Sequence, residues 1–190
     1  MKKFLAIILT MVMTMSLMSC TIVGGNANNE TNGQESSAEN AAAEFQTVQS
    51  TKSSLKLEVP VTWNKLDLNP LATIQMGDIR KEQYLCAIEE PTIELVFPLS
   101  LDEYSDLVLN SMLANYDTVD TIILRNITIG NGIQARQIEF NSSFRGTEST
   151  NLFTFVKTDE VYYQILTWST PSKYDAAKPV FESILARVRL

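Results

Sequence analysis

The sequence contains no histidine, and this absence excludes several kinds of chemistry. Histidine is the side chain that most often transfers protons near neutral pH, and its imidazole is the commonest protein ligand of transition metals. Hydrolases that activate a serine or cysteine nucleophile with histidine are therefore excluded. Carboxylates remain as the candidates for acid–base or metal chemistry.

Cysteine is almost as scarce, because the chain has only Cys20 and Cys86. Cys86 lies in the apolar run Tyr84-Leu85-Cys86-Ala87-Ile88, which is typical of a strand. A free cysteine in such a run behaves as a small buried hydrophobe, and without a histidine beside it a nucleophilic role lacks a base. We predict that Cys86 is a core residue.

The N-terminus carries the one apolar run of a length that suggests export. It covers residues 4–18 after Lys2 and Lys3, and it is shorter than the roughly 20 residues that a helix needs to cross a bilayer. It therefore predicts a signal peptide over residues 1–19. Leu17-Met18-Ser19-Cys20 resembles a lipobox, in which a small residue precedes a cysteine that is acylated. The resemblance implies a lipid on Cys20; ordinary secretory cleavage, which would leave Cys20 as a free thiol, is the alternative.

Basic residues are outnumbered, with 15 Lys and Arg against 22 Asp and Glu, and the net charge of −7 becomes −9 without Lys2 and Lys3. Such a charge repels nucleic acid and anionic lipid headgroups. We expect no nucleic-acid partner, and we expect attachment to the membrane through the lipid on Cys20. The predicted location is the extracytoplasmic side of the cell membrane.

The composition divides the mature chain into two parts. Residues 20–52 are rich in Asn, Glu, Ser, Ala and Gln, a mixture that buries too little apolar surface to fold, and they are predicted to form a disordered tether. Residues 53–190 are long enough for one domain with a hydrophobic core.

The first half of this domain shows strand patterns at 55–59, 72–76 and 83–88, with Gly77-Asp78 among the turn signals. Residues 92–97 are predicted to be a short strand or an extended crossing. Ser100-Leu101-Asp102-Glu103 forms a capping box, which predicts a helix over 101–115. Its core-facing stripe is predicted from the helical spacing of five residues: Tyr104, Leu107, Val108, Ser111 and Met112.

The second half alternates with period two in four stretches, 121–129, 133–144, 147–157 and 161–168, joined by turns such as Gly130-Asn131-Gly132. Thr170 as N-cap and Pro171 at the first helical position predict the start of a C-terminal helix. Pro179 lies inside this helix and is expected either to kink it or to shift its true start downstream. The predicted fold class is α+β, an antiparallel sheet of about six strands with helices packed on its faces.

Three segments resemble the PsbP-like family: Val59-Pro60-Val61-Thr62-Trp63, the capped helix from Ser100, and the passage from Tyr162 to Tyr174 through Trp168. The resemblance covers residues 55–190 and implies an antiparallel sheet between helices. That fold is shared by the extrinsic P subunit of photosystem II, a Ran-binding nuclear-import factor and many bacterial lipoproteins, so it does not carry a function. The calcium and manganese of the photosynthetic members depend partly on histidines, which this chain lacks.

Candidate sites are few. Glu89 and Glu90 are adjacent in a strand and should face opposite sides, and Asp117 and Asp120 lack the dense ligand loop of a calcium site. Arg125, Arg136 and Arg145 are expected to pair with acids across strands. Four aromatic residues are candidates for a ligand or partner surface, with the core as the alternative for each: Trp63, Tyr162, Tyr163 and Trp168.

No catalytic residue, cofactor or metal is therefore predicted. The leading hypothesis is a non-catalytic, membrane-anchored binding or assembly module with an unknown protein partner. The alternatives are a carrier or sensor with a small-ligand pocket between sheet and helix, and a weak metal-binding or hydrolytic domain.

Overall fold

The computed structural model describes residues 44–95 and 97–190. The signal peptide, Cys20 and most of the predicted tether lie outside these residues. The elements are, in chain order, β1 (Phe45–Gln49), β2 (Lys56–Pro60), β3 (Asn64–Lys65), β4 (Ile74–Asp78), β5 (Gln83–Pro91), α1 (Leu101–Leu113), β6 (Thr118–Ile129), β7 (Ile133–Phe144), β8 (Thr147–Lys157), β9 (Val161–Ser169) and α2 (Pro171–Leu185).

The main sheet has seven antiparallel strands in the order β3-β4-β5-β9-β8-β7-β6. The meander from β6 to β9 is confirmed, because turn residues mark where each strand must reverse. The α+β class is confirmed as well. The strand number was underestimated, since β3 is only two residues long and leaves no pattern to detect.

The two faces of the sheet carry separate hydrophobic cores. The helix α1 packs on one face, against residues such as Phe153 and Leu166. The helix α2 and the β1–β2 pair cover the other face, where Leu57 and Phe181 are fully buried. Strands β8 and β9 are therefore buried on both sides. An alternating pattern in the sequence would instead predict strands with one buried face and one solvent-exposed face.

The strand β1 corrects the predicted boundary between tether and domain. Its residues belong to the segment 20–52, which was predicted to be disordered, but they pair with β2 from Phe45↔Pro60 to Gln49↔Lys56. Phe45 and Val48 also pack against the core of the α2 face. This pairing depends on a partner strand, which local composition does not reveal.

Three further predictions for the first half were wrong in detail. Thr92–Glu94 form a single 3-10 turn in place of a strand or extended crossing. Gly77 and Asp78 end β4, so the turn falls on the residues after them. In α1 the capping box is confirmed, but Leu107 is exposed. The residues of α1 that are buried are Tyr104, Ser105, Val108, Leu109 and Met112.

The helix α2 begins at Pro171 as predicted and continues through Pro179 to Leu185, so Pro179 does not delay its start. Pro179 lies on the exposed side, where the carbonyl that its ring leaves unpaired can be hydrated. The Thr170 hydroxyl does not cap the helix, because it donates a hydrogen bond to the Glu82 carboxylate in the β4–β5 turn. Within the described residues no helix is long and apolar enough to span a bilayer.

Candidate binding cleft

The four aromatic residues proposed as a surface are buried, none of them more than 3% exposed, so that prediction was wrong and the core alternative holds. Tyr162 and Tyr163 face opposite sides, but helices cover both sides of the sheet. Trp168 stacks on Tyr84 with 5.5 Å between ring centroids. Trp63 belongs to the core of the α2 face.

A cleft lies instead where β5 extends beyond β4. The pairing of these strands ends at Ile74↔Ala87, and Thr73 donates its backbone N–H to the Ala87 carbonyl at 2.8 Å. The last residues of β5, 88–91, have no neighbouring strand on that side within the part of the chain that the structure describes. Because alternate residues turn their backbone polar groups to opposite edges, those of Glu89 face this open edge.

The cleft has a volume of about 410 Å³. Much of its wall is apolar, and three acidic residues and one lysine belong to its lining as well. The lining residues are Lys52, Leu71, Ile88, Glu89, Glu90, Pro91, Glu94 and Val161. The position of the cleft follows from the different lengths of β4 and β5.

Glu89 is the most unusual residue of this lining, since it is only 8% exposed. The Thr73 hydroxyl donates a hydrogen bond to its Oε1 at 2.5 Å, while Oε2 has no hydrogen-bond partner among residues 44–95 and 97–190. A buried carboxylate oxygen without a donor is costly, commonly by about 1–3 kcal/mol or more. Such an atom indicates a place where a ligand can supply the missing donor.

Glu90 points to the other face, as predicted for neighbouring strand residues. It accepts a hydrogen bond from the Tyr104 hydroxyl, and Gln164 donates to that hydroxyl at 2.8 Å. Burial, and then the Glu90 charge, raise the pKa of Tyr104, so the phenol stays a donor at neutral pH. The Glu90 carboxylate is therefore part of the contact between α1 and the sheet.

The surface beside the cleft is unusually apolar. Ile93 is 92% exposed and Phe97 is 72% exposed, both in the connection between β5 and α1. A second cleft of about 400 Å³ shares Lys52 and Val161 with the first. The same end of the domain thus combines two clefts with exposed apolar side chains.

The sequence held only part of the signal for this site. Glu89 was considered as one of a pair with Glu90, whereas its importance comes from its burial near the end of β5, on the face opposite to Glu90. Lys52 was assigned to the tether, and Ile93 and Phe97 to an extended segment. An acidic residue near the end of an otherwise apolar strand is the one local pattern that could have indicated the cleft.

A third cleft, of about 330 Å³, lies on the α2 face beside β6, β7 and β8. Two acidic residues line it, Glu139 and Asp175, and Glu139 accepts hydrogen bonds from Arg125 at 2.7 Å and from Lys178 at 2.9 Å. Burial alone would raise the pKa of Glu139, but the hydrogen bonds from Lys178 and Arg125 outweigh it and lower the pKa. Glu139 and Lys178 of this cleft are thus paired with each other.

The other candidate residues have structural partners. Arg125 pairs across strands as predicted, whereas Arg136 pairs with Asp102 and Asp106 of α1, and Arg145 lies over the Phe144 ring. Asp117 accepts a hydrogen bond from the Gly146 backbone, and Asp120 accepts one from Thr121. Among the described residues, no group of three or more Cys, Asp or Glu side chains can hold a metal ion.

No protein-family model matches the chain, and no curated protein matches it. Its structure is similar to the solution structure of cyanobacterial PsbP (CyanoP) from Synechocystis sp. PCC 6803. The TM-score is 0.57 at 14% identity, over 83% of this chain and 99% of that chain. The domain has a PsbP-like fold. The fold that the sequence resemblance implied is confirmed.

The PsbP-like domain is also similar to LpqN of Mycobacterium tuberculosis, described as involved in cell envelope biogenesis. The TM-score is 0.54 at 16% identity, over 77% of this chain and 90% of that chain. A protein of unknown function from Pseudomonas aeruginosa, PA94, gives a TM-score of 0.49 at 11% identity, with coverages of 77% and 96%. At such identities the similarity establishes the fold, and the function has to be argued from the residues of the site.

Proposed function

We propose that the protein is a non-catalytic binding or assembly module of the cell envelope, held at the extracytoplasmic side of the membrane by a lipid on Cys20. The observation that carries the proposal is the combination, at one end of the PsbP-like domain, of the Glu89 cleft with exposed Ile93 and Phe97. The similarity in fold to LpqN, described as an envelope-biogenesis protein, supports it.

The carboxylates at the cleft favour binding over catalysis. Acid–base catalysis by two carboxylates requires both to reach one substrate bond. Here Glu89 and Glu90 project to opposite faces of β5, and Glu90 is held by Tyr104. One buried acceptor with aliphatic walls is an arrangement suited to recognition.

The apolar side chains beside the cleft favour a macromolecular partner. Large apolar residues that adjoin one another on a surface commonly mark contact sites, and their burial supplies much of the binding energy. Ile93 directly precedes Glu94 of the cleft lining, and Phe97 follows in the same connection to α1. A partner that covers Ile93 would lie beside the cleft, because the neighbouring Glu94 lines it.

In-cell photo-crosslinking tests this proposal. p-Benzoylphenylalanine is placed at position 93 or 97 of the full-length chain, and at position 79 as a matched control. Ile79 is 65% exposed too, but it lies in the turn at the opposite end of β5. We expect a discrete crosslinked protein from positions 93 and 97 and not from 79. Equal crosslinking at all three positions, or none, would contradict the proposal.

The tether is tested separately by membrane fractionation. Cys20→Ala should release the protein from the membrane fraction or stop its maturation, because the acidic domain has no other strong attraction to a bilayer. Retention of mature Cys20→Ala protein in washed membranes would contradict a lipid anchor.

A carrier or sensor of a small ligand is the second candidate, and the cleft of about 330 Å³ beside α2 favours it. A ligand that binds only the folded state raises the unfolding temperature. A thermal-shift screen that yields such a ligand, together with loss of the shift in Asp175→Trp at the cleft, would favour this function over the first.

A further inference from the structure

We propose that the Glu89 cleft binds a primary alkylammonium group, with the ammonium on Glu89 and its methylene chain along the aliphatic wall. The inference rests on the proposed function of a binding module and specifies the chemistry of its site. A free alkylamine and a lysine side chain of a partner protein share this chemistry.

The unpartnered oxygen of Glu89 defines the polar end of the ligand. The Thr73 hydroxyl donates to Oε1, and Oε2 accepts from no donor in the described part of the chain. Oε2 is itself buried, so a ligand in the cleft bonds to it once the Glu89 side chain turns toward the cleft. Hydrogen bonds from a charged donor to a carboxylate are roughly twice as strong as neutral ones, and they gain further in a site sheltered from water. A cationic donor is therefore the group that best satisfies this atom.

The charge of the lining also selects a cation. Three acidic residues belong to the lining, Glu89, Glu90 and Glu94, although the Glu90 carboxylate itself turns to Tyr104 on the other face. They share the lining with one basic residue, Lys52, at the exposed rim. An anion would meet an excess of like charge, which costs free energy in a partly enclosed site. The whole chain carries the same sign, with a net charge of −7.

The donor geometry distinguishes ammonium from guanidinium and from metal ions. A guanidinium group binds carboxylates best through two parallel hydrogen bonds, and Thr73 already takes one of the two acceptor sites of Glu89 Oε1, which disfavours that paired geometry. Calcium needs six or more oxygens, and no cluster of acidic side chains able to hold a metal occurs in residues 44–95 and 97–190. An ammonium group is a compact point charge that can use a single oxygen.

The walls define the apolar part of the ligand. Leu71, Ile88, Pro91 and Val161 line the same cleft. The side chain of lysine can bury its methylene groups along an apolar surface while the charged end reaches a polar partner. Each buried CH₂ group stabilises the bound state by about 0.8 kcal/mol. A chain of four to six carbons matches this combination.

Lys52 has the same chemistry as the proposed ligand. It is exposed, it lines the cleft, and the structure shows no ion pair for it among the described residues. An ammonium group at the rim lowers the local preference for a second cation. Lys52→Met should therefore strengthen alkylammonium binding several-fold.

Calorimetric titration of the full-length protein, purified in a mild detergent and an amine-free buffer, tests the inference. The probes are hexylammonium, hexanol and hexanoate. We expect hexylammonium to bind at least about ten-fold more tightly than hexanol, as a charged hydrogen bond implies, and hexanoate to bind more weakly still. Equal affinity for hexylammonium and hexanol would overturn the inference.

Two variants locate the binding. Glu89→Gln keeps the acceptor for Thr73 and should lose the preference for hexylammonium, whereas Glu148→Gln removes the same charge from an exposed site elsewhere and should keep it. Leu71→Trp narrows the cleft without changing any charge and should weaken binding of every probe. An unchanged affinity in Glu89→Gln, or in a folded Leu71→Trp, would overturn the site.

Two peptides and spermidine distinguish the source of the ammonium group. An extended peptide, acetyl-Val-Lys-Val-amide, can add backbone hydrogen bonds at the open edge of β5, and a norleucine version of it lacks the charge. Tighter binding of the lysine peptide than of spermidine supports a protein side chain, and the reverse supports a free amine. Loss of all ammonium binding with crosslinks from Ile93 intact would refute this inference and leave the proposed function standing.

Discussion

The Thr73 hydroxyl donates its hydrogen bond to the Glu89 carboxylate from the residue that immediately precedes β4, across the end of the β4–β5 pairing. The same hydroxyl lies 3.3 Å from the Ala87 carbonyl. A single side chain thus joins the end of one strand to the buried acid of the next. This contact fixes the position of Glu89 at the point where the sheet edge opens.

Thr73→Val should therefore destabilise the protein. Valine has the same shape but leaves both oxygens of the buried Glu89 carboxylate without a protein donor, at a cost of about 1–3 kcal/mol. Urea unfolding measures the change. Thr47→Val, at an exposed position of β1, is the control and should change the free energy of unfolding by less than about 0.5 kcal/mol. Equal effects of the two substitutions would contradict the role of Thr73.

Cys86 should resist alkylation as long as the domain is folded. Its side chain is fully buried on the α1 face, and burial raises the pKa of the thiol to about 12. We expect iodoacetamide at pH 8 to leave Cys86 unmodified in native protein and to modify it in denaturant, as read by mass spectrometry of its peptide. Rapid native modification would show that the strand β5 is more accessible than its contacts indicate.

The turn between β6 and β7 should depend on the absence of a side chain at Gly130. This residue has a φ of +47°, and an added Cβ would lie 2.2 Å from the Val188 carbonyl oxygen. Gly130→Ala should combine the left-handed strain of about 1 kcal/mol with a backbone clash and cost several kcal/mol.

Gly146→Ala is the matched control for Gly130→Ala. Gly146 also has positive φ, at +76°, but an added Cβ would meet no atom within 4 Å. Thermal and urea unfolding of both variants should show the smaller loss for Gly146→Ala. A reversed order would contradict the packing of the C-terminal residues against the turn.

The ion pairs of Glu139 should make the domain acid-sensitive. Hydrogen bonds from Lys178 and Arg125 outweigh burial and hold the pKa of Glu139 below its ordinary value of 4.5. A carboxyl group with a lowered folded-state pKa contributes stability above its unfolded pKa, and loses it as the pH falls through the folded value. The difference in stability between wild type and Glu139→Gln should thus be largest near pH 7 and shrink below about pH 4.5.

Urea unfolding of both proteins at several values between pH 7 and pH 3 measures this difference. Lys178→Met should reduce it, because the variant removes one of the two cations that lower the pKa. A difference that stays constant over this range would contradict the linkage.

Local signals in the sequence determined the helices and the meander. These signals act within a few residues, so they can be recognised from the sequence alone. They are the capping box at Ser100, Pro171 at the start of α2, and the glycines in the turns between β6, β7 and β8. The lipid on Cys20 remains a prediction from the same kind of local pattern.

The tertiary structure alone decided which surfaces are free. Tyr162 and Tyr163 are both buried because helices from distant parts of the chain cover both faces of the sheet. Phe45 joins the fold through a strand eleven residues or more away in sequence. The cleft exists because β4 stops pairing at Ala87 while β5 continues to Pro91, and the end of a pairing is set by contacts between strands. Such contacts join residues that are distant in sequence. The open edge of β5 and the Glu89 oxygen without a hydrogen-bond donor could therefore not be predicted from the sequence alone.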